Sequence, residues 1–152
     1  MDISQLIAED LILFDDSIRS KKSLFEHLGN VLETTGRITS SKKIIKAFFE
    51  REKEVSTGVE EGFGIPHAKS KYVLMPTVCF VHSGKIVEYL GMDDEPIECV
   101  FAIVVPSKAL NNHLEILSAL SRRLVDPFFR KQIKEATTAS EIIAILKEDE
   151  NN

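Results

Sequence analysis

His67 follows a proline and three closely spaced glycines in the stretch GVEEGFGIPHAKS, residues 58–70. Pro66 fixes its own φ and lacks a backbone donor, while the glycines let the chain turn where other side chains would clash. A nucleophilic imidazole must be neutral, with one nitrogen holding its proton on a fixed acceptor and the other facing an electrophile. The same residues also make an ordinary turn that carries a surface histidine. The stretch therefore permits nucleophilic chemistry at His67 without requiring it.

Three further side chains could assist such chemistry. His113 is predicted in the first turn of a helix, where free N–H groups and the helix dipole favour a nearby anion and keep an imidazole neutral. Arg51 precedes the glycine stretch at the end of another helix, and a guanidinium can bind a phosphoryl group bidentately. A cation at a helix end is also explained by the dipole alone. Lys69 could assist or simply be exposed.

Other familiar chemistries lack their sequence signals. GFGIPHAKS has no glycine directly before its lysine and serine, so it is not a nucleotide-binding phosphate loop, and no G-x-S-x-G elbow occurs. Glu60 and Glu61 are adjacent and would point apart on an extended chain, which favours a solvated pair over metal ligands. His27 and His82 are interpreted as structural or solvent-facing. We expect neither a metal nor a cofactor.

Composition predicts a single domain that spans residues 1–152. The 152 residues are 43% hydrophobic and 28% charged, as in soluble globular proteins. The net charge of −5 argues against general nucleic-acid binding. The apolar runs are too short for a membrane helix, and the first residues lack the basic segment of a secretory signal. Cys79 and Cys99 lie in apolar runs and are expected as buried thiols of a cytoplasmic protein.

The first half of the chain has the spacing of one strand and two helices. The run LILF, residues 11–14, predicts a short strand, and the apolar residues after it recur at helical spacing until Gly36. Ser40 or Ser41 can cap a second helix, which ends near Glu54. The glycine stretch then follows as a loop or an irregular strand.

The second half is predicted to begin with strands and to finish with helices. TVCFVHSG predicts a strand that turns at Ser83–Gly84 into a hairpin partner, KIVEYLG. IECVFAIVVP is typical of a central strand covered on both faces and ended by Pro106. A helix then begins at Asn112, which forms an Asn/Glu capping box with Glu115. Its apolar face is assigned to four leucines, Leu114, Leu117, Leu120 and Leu124.

Two shorter helices complete the predicted order, over 127–136 and about 139–148, the second opened by a capping box at Thr138. Helices before, between and after apolar strands indicate an α/β domain, in which a central mixed β-sheet is flanked by helices.

Three separate pieces of the sequence resemble one known family. REKEVSTGVEEGFGIPHAK, residues 51–69, is similar to the signature of the fructose/mannitol-type enzyme IIA domains of the bacterial sugar phosphotransferase system. PIECVFAIVVP resembles the central strand of that family, and NNHLEILSALSRRL resembles its second histidine segment. The order and spacing of the pieces agree over nearly the whole chain. Any single piece would be a weak signal, but the combination is specific.

The resemblance implies a phosphoryl relay. By it, His67 takes a phosphoryl group from the phosphocarrier protein HPr and passes it to a cysteine of a IIB domain. The membrane component IIC is then reached only indirectly. Arg51 and His113 match the family's supporting positions beside the phosphorylated ring. Where the family often has a small neutral turn, this chain has Glu60 and Glu61, whose charge could weaken transfer unless they point outward.

Two other functions stay open at this point. A regulatory module of the family's nitrogen-related type would use the same phosphorylation to bind targets rather than to pass the group on. A metal-dependent hydrolase built on His67 and His113 is the third possibility, but it lacks convincing carboxylate ligands. Neither the sugar nor the oligomeric state follows from the sequence. The ending EDENN favours IIB and membrane components on separate polypeptides.

Overall fold

Five strands and five α-helices make up the part of the chain that the computed structural model describes, residues 2–109 and 112–148. Two 3₁₀ turns, Ile3–Gln5 and Glu9–Leu11, precede the first strand. The strands are β1 (Ile12–Asp15), β2 (Phe63–Gly64), β3 (His67–Ser70), β4 (Thr77–Leu90) and β5 (Pro96–Pro106). The helices are α1 (Lys21–Thr34), α2 (Ser41–Glu54), α3 (Asn112–Val125), α4 (Pro127–Glu135) and α5 (Ala139–Lys147).

The strands form one mixed sheet in the order β1-β4-β5-β2, and β3 also pairs with β5. β1 runs parallel to β4, β4 runs antiparallel to β5, and both β2 and β3 run parallel to β5. The predicted mixed sheet is therefore confirmed. Its topology places the short strands β2 and β3, which hold the glycine stretch and His67, beside the long strand β5.

β5 is the centre of the core. Its residues from Cys99 to Val105 are all buried, as expected for a strand covered on both faces. α1 packs against α2 and β4, and α2 reaches β3. α3 packs on β5 and on α4, whereas α5 reaches β1. The apolar run IECVFAIVVP predicted this central position.

Capping side chains set the starts of four helices. A side-chain oxygen of the residue before each helix accepts a hydrogen bond from a backbone N–H of the first turn, which satisfies a donor that has no partner inside the helix. The four caps are Ser20, Ser40, Asp126 and Thr138. The cap predicted from the Asn112 side chain lies outside the described residues, although α3 does begin at Asn112.

The hairpin predicted with its turn at Ser83–Gly84 is wrong. Thr77–Leu90 is one continuous strand, and the chain reverses over residues 91–95, before β5. Gly84 has a different reason to be glycine: a Cβ there would lie 2.5 Å from the backbone oxygen of Asp16. The glycine marks a close passage of another segment, not a turn.

The apolar face predicted for α3 is also partly wrong. Leu114 is 66% exposed, whereas the buried stripe of the helix consists of Ile116, Ala119, Leu120 and Leu124. Leu114 lies two residues before Ile116, which turns it away from β5 on a helix of 3.6 residues per turn. An exposed leucine consequently follows His113 directly.

Candidate functional site

His67 is the first residue of β3 and belongs to the sheet rather than to a free loop. It is opposite Ile103 of β5, whose N–H donates to the carbonyl of Pro66 at 3.0 Å. Its ring is largely buried, with 7% of the residue exposed. Nδ1 lies 2.8 Å from the carbonyl oxygen of Ile65. A carbonyl only accepts, so Nδ1 carries a proton and donates.

Two of the glycines before His67 have specific structural reasons. Gly62 has φ +85°, a left-handed conformation that glycine adopts without steric cost. Gly64 lies against the ring of Tyr89, where a Cβ would meet the phenolic oxygen at 2.8 Å. The glycine stretch therefore allows the segment that leads to His67 to lie close against β4 and β5.

Arg51 of α2 contacts the other nitrogen of the same ring. Its Nε lies 3.0 Å from Nε2 of His67, and its Nη1 donates to the carbonyl of Val55 at 2.9 Å. A guanidinium only donates, so Nε2 is unprotonated and accepts this hydrogen bond with its lone pair. His67 is thus a neutral imidazole with the proton on Nδ1, the protonation that the sequence argument required of a nucleophile.

His113 lies next to His67, as the predicted arrangement requires. The two ring centres are 4.9 Å apart. Nε2 of His113 is buried and has no hydrogen-bond partner within residues 2–109 and 112–148. A buried nitrogen without a partner is costly and points to a ligand group that fills the position. The helix α3 begins one residue earlier, so its N-terminal end is at the site.

Burial keeps both imidazoles neutral. It lowers the pKa of His67 below the usual 6.5, and the positive charge of Arg51 lowers that pKa further, against the raising effects of the Ile65 carbonyl and Glu52. Burial is also the largest cause that lowers the pKa of His113, followed by the charges of Lys69 and Arg51. The sequence predicted a neutral His113 from the helix dipole, whereas the main cause is burial.

An open cleft of about 250 Å³ lies beside these residues, lined among others by Ala47, Arg51, His67, Lys69 and His113. Lys69 is exposed at its rim. The cleft thus combines a guanidinium, an ammonium and the N-terminus of a helix around one imidazole nitrogen, and the carboxylates of Glu50 and Glu54 also line it. The first three of these groups are suited to a dianionic group bound to that nitrogen.

The charges of Glu60 and Glu61 have less effect on the site than their sequence position implied. Glu61 has φ +53° in a turn, not the extended backbone assumed, and its carboxylate accepts a hydrogen bond from Nε of Arg130 at 2.8 Å. Glu60 lines a different cavity together with Arg130. The carboxylate that acts electrostatically on His67 is Glu52.

Sequence reasoning missed the polar groups behind His67. Thr57 is hydrogen-bonded both to Glu52 and to Tyr89. One signal was available, since the motif REKEVSTG places a glutamate beside Arg51 and a threonine five residues later. The spacing did not reveal that the two side chains meet, because the chain leaves the helix between them.

The fold and this site define a class of protein. Residues 5–149 match the family described as "Phosphoenolpyruvate-dependent sugar phosphotransferase system, EIIA 2". The chain belongs to this family, whose members are phosphotransferase components. Among the residues described, no helix has the length and apolar character needed to cross a membrane.

Particular relatives agree with that assignment. The chain is 37% identical over 147 residues to the fructose-specific EIIA component from Haloferax volcanii, covering 97% of this chain and 96% of the relative. It resembles the crystal structure of nitrogen regulatory protein IIA-Ntr from Neisseria meningitidis with a TM-score of 0.86 and 31% identity, over 95% of this chain and 99% of the other. The fold also matches enzyme IIA of mannitol from Escherichia coli, in a complex with phosphorylated enzyme IIB, with a TM-score of 0.73 and 19% identity, over 91% and 95% of the two chains.

Proposed function

We propose that the chain is a phosphoryl-relay component of a sugar phosphotransferase system. His67 accepts the phosphoryl group on Nε2 and then gives it up to a cysteine of a IIB domain. The observation that carries this proposal is the pair of contacts on the ring. Nδ1 is tied to the Ile65 carbonyl at 2.8 Å, and Nε2 is left as the acceptor nitrogen beside the cleft, 3.0 Å from Nε of Arg51.

The transfer needs no cofactor and no metal. As the donor approaches, the lone pair on Nε2 of His67 forms a bond to phosphorus, and the bond from phosphorus to the donor breaks with its electron pair returning to the donor. The proton stays on Nδ1 throughout, donated in a hydrogen bond to the Ile65 carbonyl. Discharge reverses the roles: the cysteine sulfur of the acceptor bonds to phosphorus, and the electron pair of the nitrogen–phosphorus bond returns to Nε2.

Arg51 has to move during this step, because its Nε occupies the lone pair that attacks phosphorus. The guanidinium then pairs with the phosphoryl oxygens, and the buried Nε2 of His113 can donate to one of them once it carries the ring proton. A phosphorylated imidazole brings close to two negative charges at neutral pH. Positioning and charge stabilisation are the main contributions that proteins make to phosphoryl transfer.

Family membership supports a choice of partners. We propose HPr as the donor and a IIB domain or subunit as the acceptor, with IIC reached only through IIB and the whole of residues 1–152 acting as one cytoplasmic domain. The structure of enzyme IIA of mannitol with phosphorylated enzyme IIB supports the second partner by analogy of fold. The likeness to a fructose-specific EIIA component supports a sugar pathway.

The test is phosphoryl transfer from phosphoenolpyruvate through enzyme I and HPr, read by intact mass. Wild type should gain one acid-labile phosphate, and His67→Ala should gain none. His27→Ala is the matched control, since His27 is an exposed histidine on α1 and should load normally. A folded wild-type protein that gains no phosphate would show that the proposal is wrong.

A second function has its own support, the likeness to IIA-Ntr with 31% identity. In that case the phosphorylated state regulates binding to target proteins, and the phosphoryl group is not passed on. Adding a panel of IIB domains to the loaded protein separates the two functions. Discharge to the cysteine of one IIB supports the sugar relay, whereas stable loading with every IIB supports the regulatory function.

A further inference from the structure

Glu52 is the neighbour of Arg51 in sequence, but its side chain is buried in the protein, whereas that of Arg51 is partly exposed. The Glu52 side chain is 4% exposed, against 25% for Arg51. Both of its oxygens are used by one residue: Oε1 accepts from the backbone N–H of Thr57 at 3.0 Å, and Oε2 accepts from the Thr57 hydroxyl at 2.7 Å. Nζ of Lys21 lies 3.9 Å from Oε1.

The hydrogen-bonded path continues from Thr57 to the reactive ring. The carbonyl of Thr57 accepts from the N–H of Ile65 at 3.0 Å, and the carbonyl of Ile65 accepts from Nδ1 of His67 at 2.8 Å. Thr57 and Ile65 thus bridge the two sides of the glycine stretch. Glu52 is joined to the proton of His67 by three successive hydrogen-bonded links, without contacting the ring.

The Glu52 carboxylate fixes the direction of the hydrogen bond between Thr57 and Tyr89. Its phenolic oxygen lies 2.5 Å from Oγ1 of Thr57. The single hydroxyl proton of Thr57 goes to the Glu52 carboxylate, so Tyr89 must be the donor in this second contact. Burial raises the pKa of Tyr89, which keeps that proton in place. A carboxylate at position 52 therefore determines which way every hydroxyl in the cluster points.

We propose that Glu52 is a positioning residue for His67. Through Thr57 and Ile65 it holds the carbonyl that keeps the ring proton on Nδ1, so that Nε2 is the nitrogen offered for reaction. The end of α2 then controls both ring nitrogens, Arg51 by direct contact and Glu52 through the glycine stretch. This inference rests on the proposed function only in taking phosphorus as the group that Nε2 attacks.

The informative variant is Glu52→Gln, which preserves the size of the side chain. It replaces one acceptor oxygen by an NH₂ group, so that two donors, this NH₂ and the Thr57 hydroxyl, face each other. Nitrogen-15 chemical shifts of the His67 ring should show an Nδ1–H tautomer in wild type and a mixture of tautomers in the variant. The rate of phosphoryl acceptance from phospho-HPr should fall about tenfold or more, as expected for a small misplacement of a reacting group. Glu26→Gln removes an exposed carboxylate from α1 and is the control for net charge.

Thr57 provides a second test that keeps the charge of Glu52. Thr57→Ser retains the hydroxyl and should keep both the tautomer and the rate, whereas Thr57→Val should behave like Glu52→Gln. An Nε2–H tautomer in wild type, or an unchanged tautomer in Glu52→Gln and Thr57→Val, overturns the proposal even if the rates fall. If wild type accepts no phosphate while the tautomer still depends on Glu52, the positioning role stands and the proposed function fails.

Discussion

Arg51 is the residue, after His67, at which a single side chain should matter most for transfer. Arg51→Ala removes the donor to Nε2 and the positive charge beside the bound phosphoryl group, so the rate of acceptance from phospho-HPr should fall about 100-fold or more. Arg51→Lys keeps the charge but loses the planar fork, and its rate should lie between the two. Rapid-quench kinetics measure the rates, and circular dichroism checks folding. An unchanged rate in a folded Arg51→Ala protein would contradict the assigned role.

The lowered pKa of His67 gives a pH dependence with a definite sign. The unfolded chain takes up a proton at this histidine near pH 6.5, but the folded protein does so only at lower pH, because burial and Arg51 oppose the charge. Between these pKa values the unfolded state binds more protons. The free energy of unfolding should therefore fall as the pH falls from 6.5 through the folded pKa.

Urea unfolding at a series of pH values, compared between wild type and His67→Gln, isolates this contribution. In the variant, the free energy of unfolding should fall less at low pH than in wild type. Part of the fall that remains comes from His113, whose pKa is also lowered. A steeper acid loss in His67→Gln than in wild type would contradict the expected sign. An NMR titration of the His67 ring measures the folded pKa directly.

At the scale of elements, the close packing of β2 against the Tyr89 side chain should make Gly64 intolerant of a larger residue. A Cβ at Gly64 would lie 2.8 Å from the phenolic oxygen of Tyr89 and 3.0 Å from Cγ2 of Ile97. Gly64→Ala should lower the free energy of unfolding by about 1–3 kcal/mol. Urea denaturation measures the change. In the double variant Gly64→Ala/Tyr89→Phe the loss should be less than the sum of the two single losses, whereas additivity would argue against this clash.

The same elements show how far the sequence could predict the site. Residue type and spacing made Arg51, His67 and His113 candidates, and the family resemblance placed them in one site. The structure brings them together because α2, β3 and the start of α3 meet at one end of β5. The predicted roles of the three residues remain predictions. Glu52 was missed because its function depends on where the chain turns after α2, and spacing along a sequence does not specify that turn.

Errors in the predicted fold have the same physical origin. Gly84 looked like a turn because glycine is common in turns, but its small size is required by the Asp16 backbone that passes over β4. Leu114 looked like core because it fits a leucine repeat, but the neighbouring stripe through Ile116 faces β5. Periodicity in the sequence predicted the helices and strands. The environments of Gly84 and Leu114 depend instead on contacts with segments that are distant in the sequence.

At the scale of the whole molecule, the two ends of α3 should differ in their effect on partners. Leu114 is 66% exposed beside His113, and Val125 is 76% exposed at the other end of the helix. Leu114→Gln should raise the KM for phospho-HPr about fivefold to tenfold, as expected if about 1 kcal/mol of apolar burial is lost. Val125→Gln is the matched control and should leave KM unchanged. Equal effects of the two variants on KM would contradict a docking face around the site.

Cys79 and Cys99, found as free thiols in the interior of the sheet, have a consequence for the lifetime of a phosphorylated state. Burial raises the pKa of each to about 12, so neither forms the thiolate that attacks phosphorus. They are the chain's two cysteines. The proposed phosphoryl group on His67 therefore has no sulfur acceptor among these 152 residues. Loss of the group to sulfur requires a cysteine outside these residues to reach the site, so until then hydrolysis limits the lifetime of the phosphorylated state.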